Sequence, residues 1–232
     1  MRSSPSGRGG GGRVSRIRFL LLCFATLFSL ALGAALSGCA PQIVGERQLA
    51  PSPTWLEAGR EIKDGFLVCG SERSKVEVKY LNKAELQAHL ASHSPNPAFF
   101  DPAPAWLEGT NAFLITAVNS SKAPMVTGGR FATLGDDKGS ELQPIEYTEL
   151  YRSLSEEGGG QQQIKVLSGL LFSPAPILPG DSRQGLVLFG PLHAKAKIAG
   201  LKTAFILADK GLEMMECAFP FDVEILSAEK KD

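Results

Sequence analysis

The scarce chemical groups of this chain are four cysteines, three histidines and four methionines. Cys39 ends a long apolar run, Cys69 follows Phe66-Leu67-Val68, and Cys217 follows Met214-Met215-Glu216. His193, Met214, Met215 and Cys217 together would offer imidazole, thioether and thiol, a donor set that suits Cu(I). Against that, methionines near a strand start usually fill gaps in a core. His89 and His93 are four apart on a predicted helix and share a face, a spacing that can bind a metal. Leu90 follows His89, so the glutamate of a His-Glu-x-x-His site is missing. The reading adopted is two solvated histidines near a helix end, with no cofactor.

Catalytic motifs are also missing from the sequence. Ser168-Gly169 follows Leu167, so no Gly-x-Ser-x-Gly elbow forms. Neither Gly158-Gly159-Gly160 nor the glycines at 9–12 lead into the Gly-Lys-Ser/Thr of a phosphate loop. Asp136-Asp137 and Glu156-Glu157 are adjacent acids in turns. Sugar hydrolysis needs two carboxylates on facing walls of a cleft, and Asp136-Asp137-Lys138-Gly139 is poor in ligands for calcium. The chain is therefore expected not to be an enzyme.

Residues 1–18 carry Arg2, Arg8, Arg13, Arg16 and Arg18 and no acid, and residues 19–36 are almost wholly apolar. A basic leader, an apolar middle and small residues at the end form a secretory signal. The run is close to the roughly 20 residues of a membrane span, so length alone does not separate the two. Its end does. Leu36-Ser37-Gly38-Cys39 resembles the lipobox of bacterial lipoproteins. The resemblance implies that the Cys39 thiol is alkylated with a diacylglyceryl group and that a dedicated peptidase, recognising Leu36, Ser37 and Gly38, cuts before it. Two or more acyl chains, palmitate among them, hold a protein durably to a bilayer, whereas one binds reversibly. Ala40 stands where an aspartate would retain such a protein in the inner membrane. The resemblance thus implies an outer-membrane lipoprotein facing the periplasm.

The whole chain balances 24 basic against 24 acidic residues. The leader removes five arginines and no acid, leaving 19 against 24 and a formal charge of −5. An acidic domain is a poor partner for nucleic acid, whose phosphates need a basic face. With Cys39 lipidated and Cys23 lost with the leader, Cys69 and Cys217 remain. In an oxidising compartment this even pair reads as a disulfide, the alternative being two separate buried thiols.

Residues 39–60, rich in Pro and Gly, read as a flexible tether, with Trp55-Leu56 free to dock on the domain beyond it. Phe66-Leu67-Val68-Cys69 and Val76-Glu77-Val78-Lys79-Tyr80 suggest a hairpin. Asn82 as N-cap with Glu85 three residues on predicts a helix over 82–92. From Asn111 the pattern is strand: 112–119, 129–134, 164–172, 185–189, 202–208 and 217–226, with a short helix over 145–154. Pro220 predicts an edge or a bulge in the last strand. Some seven or eight short strands between Gly/Pro/Asp turns indicate an antiparallel β-sandwich or barrel, mainly β with one or two short helices.

Ala117-Val118-Asn119-Ser120, the run 131–136 and Pro179-Gly180 ahead of 185–189 also resemble immunoglobulin-like sandwich domains of bacterial envelope lipoproteins. That resemblance implies a fold and no activity. The expected organisation is a signal peptide (1–38), a tether (39–60), a hairpin-plus-helix segment (61–106), a β-sandwich (107–228) and a charged tail (229–232). The expected task is a non-catalytic interaction or assembly module, bound to the bilayer through Cys39 and to another envelope protein. The alternative is a small-ligand or copper carrier using His193, Met214 and Met215.

Overall fold

The computed structural model describes residues 47–101, 104–156, 161–208 and 211–226. Leu36, Ser37, Gly38 and Cys39, the expected leader and the charged tail lie outside them. The described residues form a mainly β domain of two antiparallel sheets with a helical layer. One sheet orders β1 (Arg47–Pro51), β10 (Glu213–Ile225), β9 (Ile198–Leu207), β6 (Met125–Asp136) and β7 (Glu141–Leu142). The other orders β2 (Glu61–Lys63), β3 (Phe66–Gly70), β4 (Ser74–Leu81), β5 (Asn111–Asn119) and β8 (Ser182–Phe189). The inner faces meet over Val76, Val78, Phe113, Ile115, Val187 and Phe189 from the second sheet. Leu134, Leu201, Phe205, Phe219 and Phe221 come from the first. Phe113 is the hub, with Tyr80, Phe189 and Phe221 rings 5.6, 5.8 and 5.5 Å from its own.

The helices cover the outer face of the second sheet. They are α1 (Pro53–Glu57), α2 (Lys83–Ser92), α3 (Tyr147–Glu156) and α4 (Gln161–Leu170), of which the last three build the layer. Leu86, Leu90, Leu150, Leu154, Ile164 and Leu167 pack there on Leu186 and Leu188 of β8. This explains the unbroken apolar run at the end of β8: both its faces are buried, so polar alternation is lost. The predicted capping box of α2 is present. The Asn82 side chain accepts the Glu85 N–H at 2.9 Å, and Glu85 accepts the Asn82 N–H at 3.1 Å.

Three expectations need correction. Residues 164–172 were expected as a strand, but α4 takes them up to Leu170. Ile164 and Leu167 are buried at helical spacing while Lys165 and Ser168 face out. Only Leu171, in a bridge to Leu186, is extended as expected. The helices number four among the described residues, beyond the one or two expected. Finally, the stretch 47–60 is not a free tether. β1 pairs with β10 from Arg47↔Ile225 to Pro51↔Phe221. Trp55 is buried, stacked on Phe219 at 5.1 Å and capped by the Arg60 guanidinium at 4.4 Å, whereas Leu56 stays exposed. The stretch 111–225, expected to form the sandwich, therefore supplies only part of the two sheets.

Pro220 sits where β1 ends. Its carbonyl accepts the Ser52 N–H at 3.1 Å, and the Ser52 carbonyl is already engaged by Trp55 N–H, so the missing proline donor costs no ladder bond. Asn119, fully buried at the end of β5, is completely satisfied. It donates to the Ala123 and Ile177 carbonyls, both at 2.8 Å, and accepts from the Ser121 N–H and hydroxyl.

Cys69 of β3 and Cys217 of β10 are joined by a disulfide, their Cα atoms 6.0 Å apart and 148 residues apart in sequence. In the chain-entropy account a loop of that size gives up to about 5 kcal/mol. Replacing both cysteines by alanine should lower the unfolding free energy by several kcal/mol, toward that limit. Denaturant titration in the presence and absence of reductant measures it: only the wild type should respond to reductant, and a wild type indifferent to reductant would contradict a stabilising bond.

Candidate functional site

A cleft of about 400 Å3 opens at one mouth of the sandwich. Five separate segments build it: 47–49 of β1, Tyr80 with Lys83, the turn 107–111 into β5, the loop 191–194, and Val223 of β10. Leu49, Leu107, Leu192 and Val223 make its apolar part. Gly109, at φ 73°, lets the 107–111 turn reverse direction beside Pro191.

The loop wall is held from two sides. On one side the carboxylates of Asp136 and Asp137 grip it. Asp136 Oδ1 accepts the N–H groups of Lys138 and Ser140 at 2.9 and 3.0 Å, and Oδ2 accepts the His193 N–H at 3.0 Å. Burial raises the Asp136 pKa, but the bonds from His193, Ser140 and Lys138 together outweigh it and bring it down to about 2. For Asp137 the Lys138 ammonium is the main cause, aided by the Lys197 and Ile198 N–H groups, and its pKa also falls to about 2. On the other side Arg47 donates to two carbonyls of the loop, Nη1 to His193 at 2.9 Å and Nη2 to Ala194.

The electrostatics of the cleft reduce to three side chains. Arg47, Lys83 and Glu108 are the charged residues of its lining, and Lys83 and Glu108 form an ion pair with each other. Arg47 has no carboxylate partner among the described residues, and its Nε–H is buried with no hydrogen-bond acceptor there. The lining thus carries one uncompensated positive charge. None of these three residues was singled out from sequence. Arg47 fell in the presumed tether, and nothing local marks residues that meet only through the tertiary fold.

The sequence-chosen residues lie elsewhere or apart. His193 is exposed in the cleft-side loop. Met214 is exposed at the far end of β10, and Met215 is half-buried, accepting the Ser74 hydroxyl at 3.2 Å. Val223 donates to the Lys197 carbonyl beside the loop, nine residues of strand from Met214. That places His193 and the methionines roughly 30 Å apart. Cys217 is in the disulfide, so the copper donor set is not assembled. Among the described residues no group of three or more His, Cys, Asp or Glu side chains could hold a metal ion. His89 and His93 do stack, with ring centroids 4.5 Å apart, but His93 Nδ1 lies against the His89 carbonyl at 2.8 Å. Burial, and then the His93 charge, push the His89 pKa down.

A second cavity, of about 480 Å3, lies between the start of α3, the end of α4 and β8. It is lined mainly by apolar side chains such as Phe131, Ile145, Phe172 and Leu188, and its one charge is the Glu146 carboxylate.

No family model and no curated protein matches the chain. Among solved structures, a DUF4426 family protein from Pseudomonas aeruginosa PAO1 is similar at 10% identity and a TM-score of 0.34, over 70% of this chain and 98% of its own. A functionally unknown protein from Listeria monocytogenes EGD-e is similar at 14% identity and a TM-score of 0.32, over 78% and 89% respectively.

The Asp136 and Asp137 grip has a pH signature. Both carboxyls have folded pKa values of about 2, below their ordinary values near 4. Their stabilisation is therefore fully present above about pH 4 and is lost as the pH falls through about 2. Asp136→Asn should flatten the fall of melting temperature between about pH 4 and 2. Thermal unfolding across that range checks it, and parallel curves for wild type and variant would show that Asp136 does not hold the loop.

Proposed function

We propose that the chain is a lipid-anchored lipoprotein of the cell envelope, sorted to the outer membrane, whose sandwich is a non-catalytic module for binding or assembly. The observation that carries this reading is Leu36-Ser37-Gly38-Cys39 at the end of an arginine-led apolar run. The disulfide suits an exported chain, because such bonds persist in oxidising compartments. Attachment is assigned to acylated Cys39 on the lipobox resemblance; no helix among the described residues is long and apolar enough to cross a membrane. The non-catalytic reading is supported by the acid pair Asp136-Asp137, whose oxygens are spent on holding a loop.

The incorporation of β1 changes what the anchor means. Eight peptide steps separate Cys39 from Arg47, the first residue of the sheet. Fully extended they reach at most roughly 28 Å. Acylation at Cys39 would therefore hold the Arg47 end of the domain close to the bilayer, with little of the freedom that a tether of 39–60 would allow.

Cys39→Ala should abolish labelling by radioactive palmitate and leave an uncleaved precursor, seen as a slower band on denaturing gels. Normal processing of that variant would refute the assignment.

A further inference from the structure

The cleft has the two parts of an amphiphile site: an apolar floor formed by Leu49, Leu107, Leu192 and Val223, and a cation at its wall. Arg47 is held in place by the His193 and Ala194 carbonyls, so its guanidinium is already oriented. Those contacts use two of its five N–H donors, and the buried Nε–H is left without an acceptor among the described residues. The Nε–H is shielded from solvent, so a carboxylate in the cleft would take the N–H left on Nη1 or Nη2, in a charge-assisted hydrogen bond. With Lys83 and Glu108 paired, the lining has room for one negative charge. A phosphate monoester, at about −1.5 to −2, would overload it beside Glu108. The cleft volume lies within the range of small-ligand sites, roughly 300–1,000 Å3. The second cavity has apolar walls but only the Glu146 carboxylate for charge, which would repel the same ligand.

We propose that this cleft binds a single-chain amphiphilic carboxylate, a fatty acid, with its carboxylate on Arg47 and its chain along the apolar floor. The site is independent of the anchor and exists whether or not Cys39 is acylated. The test uses the full chain, purified and held in amphipol, with a photoactivatable palmitate as probe and peptide mapping by mass spectrometry. Labelling is expected on the segments 107–111 and 191–194, competed by palmitate and not by hexadecylamine or hexadecyl phosphate at equal concentration. Arg47→Gln should weaken binding by roughly tenfold or more, the scale of a charge-assisted hydrogen bond. Because Arg47 also holds the loop, two partly exposed charges supply a second reading that spares it. Glu108→Gln should tighten binding several-fold, and Lys83→Gln should weaken it by a similar factor. Equal competition by hexadecylamine, labelling concentrated at the second cavity, or insensitivity to both Glu108→Gln and Lys83→Gln would each overturn the proposal.

Discussion

The domain depends on how the two open sides of its sandwich are closed. Two antiparallel sheets with apolar inner faces gain burial only while they stay in register over one another. Along one side a covalent bond does this, from Cys69 of β3 to Cys217 of β10. Along the other, a short stretch of chain crosses from sheet to sheet. The Phe172 N–H bonds the Leu186 carbonyl of β8 at 2.8 Å, and Ile177 and Met125 of β6 then exchange backbone bonds at 2.8 and 2.9 Å. Gly185 permits the first contact, because a Cβ there would meet the Phe172 backbone at 2.5 Å. Asn119 completes this closure by donating to the Ile177 carbonyl. With both sides fixed, freedom to open is left to the ends, and the cleft occupies one of them.

The cleft is built by a relay of hydrogen bonds rather than by strands. Asp136 and Asp137 fix the loop beyond β8 from the side of β6, and Arg47 fixes the same loop from the side of β1. The carboxylates can do this because each accepts backbone N–H groups as well as facing a lysine or a turn. Such arrangements favour the ionised form. The result is a wall that needs no regular structure to hold its shape. With Arg47 on the loop carbonyls and Lys83 paired with Glu108, the lining keeps two cations against one carboxylate, a net positive charge.

Strand regions with alternation or long β-branched runs, such as β4 and β5, were legible in sequence, as were the capping box at Asn82 and the cysteine pair. The helix α4 was not. Ile164, Val166, Leu170 and Leu171 read equally well as a strand until the burial of Ile164 and Leu167 against the second sheet selects the helix. β1 was hidden for a different reason. Five residues ending in a proline carry little local signal, and only pairing with β10 makes them a strand. Arg47, Lys83 and Glu108 could not be recognised at all. Their role comes from the closeness of segments 25 to 61 positions apart in the chain, which no local pattern encodes.

That hidden strand bears on the proposed anchor and the cleft together. A domain on a long tether samples many orientations, and no face of it is favoured toward the membrane. Pairing from Arg47 onward removes most of that slack and makes the cleft wall itself the end of the link. An acyl group on Cys39 would then set the residue that carries the unpaired charge within roughly 28 Å of the lipid surface. Removal of residues 1–38 would leave a formal charge of −5, which disfavours broad electrostatic contact with anionic lipid. A single recessed cation beside an apolar floor offers a different interaction, selective for one anionic amphiphile and indifferent to the charge of the surface as a whole.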